Sequence, residues 1–140
     1  MAGDFSASIS LFREATEQRI DFACTKIARE LFNEIIEKTP VGESPTRGTL
    51  VNNWQAGVGV FNTQLQSRPG PERQGAKRRM ELIITKGSFL GKDNFVTLCN
   101  STEYAWRAEF GGWEPPRWKG TPPYAMVRLS LAEIASKYGV

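Results

Sequence analysis

Histidine is absent from the 140 residues of this chain. The side chain that most often serves as general base near neutral pH is therefore missing, and with it the commonest zinc ligand. Cysteine is scarce. Cys24 and Cys99 lie far apart, at otherwise apolar positions of a predicted helix and a predicted strand. They are expected to be buried free thiols rather than a disulfide or a reactive pair. The two shortages together all but exclude a structural zinc site. Internal repeats and low-complexity tracts are missing. So is any apolar run near the ~20 residues that a membrane span requires. The opening MAGDFSASIS lacks the basic start and apolar centre of a secretory signal, and no membrane partner is expected.

Enzyme chemistry finds little support. Gly57 and Gly59 sit in an apolar run with no lysine after them, unlike a phosphate-binding loop. A serine nucleophile would have no histidine beside it. A metal-dependent hydrolase needs clustered carboxylates. Glu103, Glu109 and Glu114, with Asp93 not far away, are read as caps and solvated faces beside a turn. The chain is expected to be no enzyme and to hold neither cofactor nor metal.

What is present describes an ordinary globular chain, 40% hydrophobic and 24% charged. Its length suits one domain, residues 1–140, with a core that needs no staples. Charge is uneven. Arg68, Arg73, Lys77, Arg78 and Arg79 face a single acid, Glu72, over twelve residues. That local excess is larger than the net charge of +3 for the whole chain. Such a segment could release counterions from nucleic-acid phosphates, but residues 64–80 hold no aromatic to stack on bases. Solubility, or docking on an acidic protein surface, is the other reading.

Hydrophobic spacing predicts a long helix over 8–38, where Phe12, Ala15, Ile20, Ala23, Ile27, Leu31 and Ile35 recur at helical intervals and Pro40 forces the stop. At 1.5 Å per residue this rod measures roughly 45 Å. It must either lie across the whole domain or offer part of its apolar face to another subunit. A loop over 41–48, a short helix over 49–55 with Leu50 and Trp54 on one face, and a strand over 56–61 follow. Residues 64–75 are expected to be a basic, mobile loop. Residues 76–86 fit a strand or a helix equally by period. Phe95 to Cys99 alternates as a strand. Asn100 and Ser101 break it, and Tyr104 to Phe110 forms a short helix closed by Gly111–Gly112. Residues 113–123, WEPPRWKGTPP, are too rich in proline for regular structure and are read as an extended arm. Trp54, Trp113 and Trp118 are read as core or lid residues rather than a ligand box. A C-terminal helix over 124–138 buries Val127, Leu131, Ile134 and Tyr138. The fold class expected is α+β, with a long N-terminal helix and a C-terminal helix packed on a small, mostly antiparallel sheet.

Several fragments then resemble one family in order. Thr39-Pro40-Val41, Thr46-Arg47-Gly48-Thr49-Leu50 and Asn53-Trp54-Gln55 are similar to its "TPV…TG-x-L…NW" segment. Asn100, Tyr104-Ala105 and Glu109-Phe110-Gly111 resemble its "N…YA…E-aromatic-G" corner. Ala125-Met126-Val127-Arg128 heads the last helix as its "GMVR" does. The family is that of the head-to-tail joining proteins of tailed bacteriophages, variously called neck, tail-completion or minor tail proteins, and the resemblance spans residues 39–138. Two departures stand out: Gly42 to Pro45 lengthens the first loop, and the 113–123 arm is longer and richer in tryptophan and proline.

The resemblance implies a virion protein, assembled in the bacterial cytoplasm, that forms a ring between the portal or its adaptor and the tail. It implies a helix over 76–87 and no catalytic residues. A tail terminator ring and a small DNA-binding module are the alternatives. Partners would be other copies of the chain (about six or twelve, by cyclic symmetry), the neighbouring portal, adaptor and tail proteins, and passing genomic DNA. Phe22, Leu31 and Phe32 are the residues expected at the lateral seam. Arg68, Arg73, Lys77, Arg78 and Arg79 are expected to face an axial partner or DNA. Trp113, Arg117 and Trp118 are expected on a docking arm, and Asn100, Tyr104, Glu109 and Gly111 in a structural corner.

Overall fold

A computed structural model describes residues 2–42, 47–66, 72–86, 95–103, 105–111 and 124–139. Its elements are α1 (Ala2–Lys38), α2 (Thr49–Asn52), β1 (Trp54–Val58), α3 (Glu72–Lys86), β2 (Val96–Asn100), α4 (Ala105–Phe110) and α5 (Met126–Lys137). The fold is α+β: a long N-terminal helix and a C-terminal helix accompany a two-stranded antiparallel sheet. No helix among the described residues is long and apolar enough to cross a membrane.

The helix α1 starts six residues before the predicted Ser8, and its 37 residues make a rod of roughly 55 Å. It ends where Thr39 and Pro40 leave the helix. After that turn Gly48, at φ 77°, opens α2, and its N–H donates to the Val41 carbonyl at 2.7 Å. A side chain there would be strained by the backbone and would also press on Asn52.

Trp54 belongs to β1, opposite Asn100, not to the preceding helix. Its spacing from Leu50 fits a helical turn, but pairing across the sheet decides its place. The strand also ends at Val58, short of Phe61. Gly59 turns at φ 70° and donates to the Phe95 carbonyl at 2.9 Å, so Val60 points out as an exposed residue rather than continuing the alternation. Close by, a Cβ on Gly57 would come within 2.5 Å of the Val60 carbonyl oxygen, which leaves glycine as the residue that fits the turn-back.

The ambiguous segment is a helix, and it begins at Glu72, inside the stretch expected to be loop. Ala76, Met80 and Ile84 are fully buried at i, i+4 and i+8, the helical solution of the pattern. In α5 the buried line is Met126, Ser130 and Ile134, and Leu131 is exposed, contrary to expectation. The helix begins at Met126, after Ala125 in a left-handed conformation, and its buried line lies one residue to the side of the expected Val127–Leu131 line. The core draws on every helix and on β1. Ala28, Phe32, Ile35 and Ile36 of α1 meet Leu50, Val51, Trp54, Ala56, Ala76, Met80, Ile84, Ala108 and Met126. Fully burying Ile36, Met80 or Ile84 contributes about 2 kcal/mol apiece. Cys24 and Cys99 are free thiols, half-buried rather than buried.

Candidate assembly surfaces

The two halves of α1 have opposite surroundings. From Ala28 onward α5 lies along one side and α3 along another, and Phe32, Ile35 and Ile36 are buried. Over residues 6–25 the side chains are exposed or at most half-buried, and Phe12 and Phe22 each show 74% of their surface. Ile9, Leu11 and Ile20 are exposed as well. About twenty residues, roughly 30 Å of helix, thus project from the body. A heptad is close to two turns of helix, so residues seven apart share a face. Ala28 and Ile35 face the body, and one and two heptads earlier the same face carries Asp21 and Glu14. Along the line of Ala28 and Ile35 the face becomes charged as the helix leaves the body, whereas the line of Ile36 continues apolar through Phe22 and Ala15. Ile9, Phe12, Thr16 and Ile20 form one uncharged stripe at helical spacing, and Leu11, Ala15 and Phe22 lie on a second.

Of the three residues expected at a lateral seam, this places Phe22 in solvent, Leu31 half-buried against the core, and Phe32 inside it at 6% exposure. Phe32 is therefore not available to a neighbour. A periodic stripe reports which residues share a face, but not which part of it the rest of the same chain covers.

A second apolar surface lies at the end of β1. A groove of about 610 Å³ is lined by residues 56–58, 60–64 and Ile83. Val60, Phe61 and Ile83 are exposed along it, and the Phe61 ring stands 5.9 Å from that of Phe95, also exposed. Among the described residues no charged one lines the groove.

The basic segment is largely used up within the protomer. The Arg73 guanidinium donates to the Thr39 carbonyl at 2.9 Å, and Arg79 donates to the Asn52 carbonyl at 2.6 Å. Burial alone pushes the Arg79 pKa down. Lys77 pairs with Glu37. These three side chains brace α3 against the turn after α1 and against α2, so they do not form a free axial or DNA-facing loop. Arg78 is exposed. Arg68, Trp113, Arg117, Trp118 and Tyr104 lie outside the described residues.

The corner residues make a closed set of contacts. Asn100 Nδ2 donates to the Leu50 carbonyl at 2.8 Å, and its Oδ1 accepts from the Thr102 N–H and hydroxyl. Gly111, at φ 75°, donates to the Arg107 carbonyl and ends α4. The Glu109 carboxylate, almost buried, accepts from the backbone N–H groups of Val127 at 2.8 Å and Arg128 at 3.0 Å, and from Arg128 Nε. A carboxylate on the first free N–H groups of a helix satisfies them and meets the positive end of the helix dipole. α4 thereby fixes the start of α5.

Sequence reasoning missed the junction at Thr39. Its hydroxyl is fully buried, donates to the Ile35 carbonyl at 2.7 Å and accepts from Trp54 Nε1 at 2.8 Å. Nothing in local spacing couples residues fifteen apart. Among the described residues no group of three or more His, Cys, Asp or Glu side chains could hold a metal ion. Comparison with protein-family models, curated proteins and solved structures finds no match to this chain.

Proposed function

We propose that this protein is a structural component of a tailed-phage virion, a ring at the head-tail junction that joins the portal or adaptor to the tail and leaves a channel for DNA. One observation carries the assembly part of this reading. Roughly 30 Å of α1 stands clear of the body with large apolar residues on two of its sides. A lone chain gains nothing from leaving such residues in water, whereas an assembling one buries them. The phage assignment rests on the ordered resemblance over residues 39–138. The place of Asn100, Glu109 and Gly111 at a rigid corner agrees with it, because a ring protomer must hold its contact surfaces at a fixed angle. DNA binding is the weaker reading, since Arg73, Lys77 and Arg79 already have partners within the chain.

The test is a lysate of the producing phage from which this chain has been deleted. Electron micrographs should show DNA-filled heads and finished tails side by side, with joined particles restored when the purified protein is added. Particles that join normally without it would refute the assignment.

A further inference from the structure

The two apolar stripes of the α1 arm point in different directions. Each residue of a helix turns the chain by about 100°, so the stripe of Ile9, Phe12, Thr16 and Ile20 stands roughly 130° from that of Leu11, Ala15 and Phe22. We propose that the arms of several copies stand side by side as a parallel helical barrel, each packing its first stripe on the second stripe of the next. The place of such a barrel at a head-tail junction, though not the contact itself, rests on the function proposed above.

A pair of copies joined through one stripe leaves the other in water, with Phe12 or Phe22 still 74% exposed. An arm held between two neighbours buries both. The direction then turns by roughly 50° at each arm, which closes the ring after about seven copies. Arms related by rotation about a ring axis are parallel and level, so equal residue numbers stand at equal heights. Leu11 and Ala15 of one arm therefore fall between Ile9, Phe12 and Thr16 of the next, and Phe22 falls just beyond Ile20. That stagger lets the two stripes interdigitate instead of colliding.

The charges sort themselves around these seams. Neither stripe carries one over residues 6–25, so packing strands no ion in an apolar setting. The exposed Arg19 and Lys26 lie in the narrower arc between the stripes, which faces the inside of the barrel. Arg13, Glu14, Glu17 and Asp21 lie in the wider, outer arc. That outer arc is also the one that runs down into the body at Ala28 and Ile35, so the bodies stand to the outside of the ring. One seam joins Ile9, Phe12 and Ile20 to Leu11 and Phe22, and at their exposures these offer roughly 650 Å² of apolar surface. That is the apolar share of an interface of about 1,000 Å², the least that holds a specific pair. Each copy has two such seams, one on either side.

The experiment uses full-length chains. Native mass spectrometry of the wild type across a concentration series should show one closed oligomer of about six to eight copies. Phe12→Glu and Phe22→Glu, one on each stripe and both at exposed positions, should each weaken self-association at least about 10-fold, with circular dichroism confirming the fold. Register is read by disulfide formation, which demands close approach of two Cβ atoms. In a chain whose Cys24 and Cys99 are changed to alanine, Thr16→Cys and Ala15→Cys are made separately. Under mild oxidation each protein alone should stay uncross-linked, and an equal mixture should give a covalent heterodimer, because the first stripe meets only the second. A cross-link in either protein alone, none in the mixture, either glutamate variant assembling like the wild type, or a wild type still monomeric at about 100 µM overturns the contact. Head-tail joining that fails in the phage deletion, with no cross-link here, keeps the proposed function and removes the barrel; the cross-link in a chain whose deletion leaves joining normal does the reverse.

Discussion

Thr39 shows how one buried residue can join three elements. It closes α1 through Ile35, receives the indole of Trp54 from β1, and its carbonyl accepts from Arg73 on α3. Thr39→Val keeps the shape and removes the oxygen, which leaves the indole N–H buried with no acceptor. An unmet buried donor costs about 1–3 kcal/mol. Urea denaturation followed by circular dichroism should show that loss in Thr39→Val and most of the stability retained in Thr39→Ser. Equal stability of Thr39→Val and the wild type would mean that water reaches the indole. Glu109 works in the same way at the start of α5, where one side chain satisfies two backbone donors and an arginine.

Among the elements, α1 is the one with two jobs, and they can be separated. Residues 6–20 are exposed or at most half-buried, so they contribute little to the body's stability. A chain lacking residues 2–20 should lose helical signal in circular dichroism, because the deletion removes about half of the 37 residues of α1. Its urea midpoint should stay within the change that about 0.5 kcal/mol produces, while its self-association disappears. A large drop in midpoint would show that the arm packs on the body after all. The elements also show what a sequence can disclose. The stop of α1, the strand before Asn100 and the C-terminal helix follow from proline, alternation and helical period, which are local. The start of α3 at Glu72 does not, because ERQG has no apolar residue to mark a face; Arg73 and Arg79 are held by carbonyls of distant residues. Phe32 is unavailable to a seam for the same reason: its burial is set by the core cluster, not by its neighbours in sequence.

At the scale of the whole molecule, the direction in which the arm leaves the body depends on how firmly the second half of α1 is held. Polar contacts hold it on both sides. Arg29 reaches Glu81 of α3 at 2.8 Å, and Lys77 of α3 reaches Glu37. On the other side Glu30 accepts from Tyr138 at 2.6 Å and Lys137 at 3.0 Å, while Lys38 donates to both Glu34 and Glu133. Hydrogen bonds from Tyr138 and then Lys137 hold the Glu30 carboxyl below its usual range, and the bond from Lys38 does the same for Glu34. The Tyr138 and Lys137 pKa values are raised by their bonds to Glu30. Burial lowers Lys38, but its bonds to Glu133 and Glu34 outweigh that and leave it raised. The lowered carboxyls contribute stability above their ordinary pKa and lose it as pH falls through the folded value. The raised groups contribute below their ordinary pKa and lose it as pH rises through theirs. The latch between α1 and α5 is therefore complete from roughly pH 5 to 9. Across that window the urea midpoint of the wild type should exceed that of Glu30→Gln, and the two curves should converge only as pH falls through the lowered folded pKa of Glu30, below which the wild-type carboxyl is itself neutral. A constant offset at every pH would assign the effect to packing rather than charge.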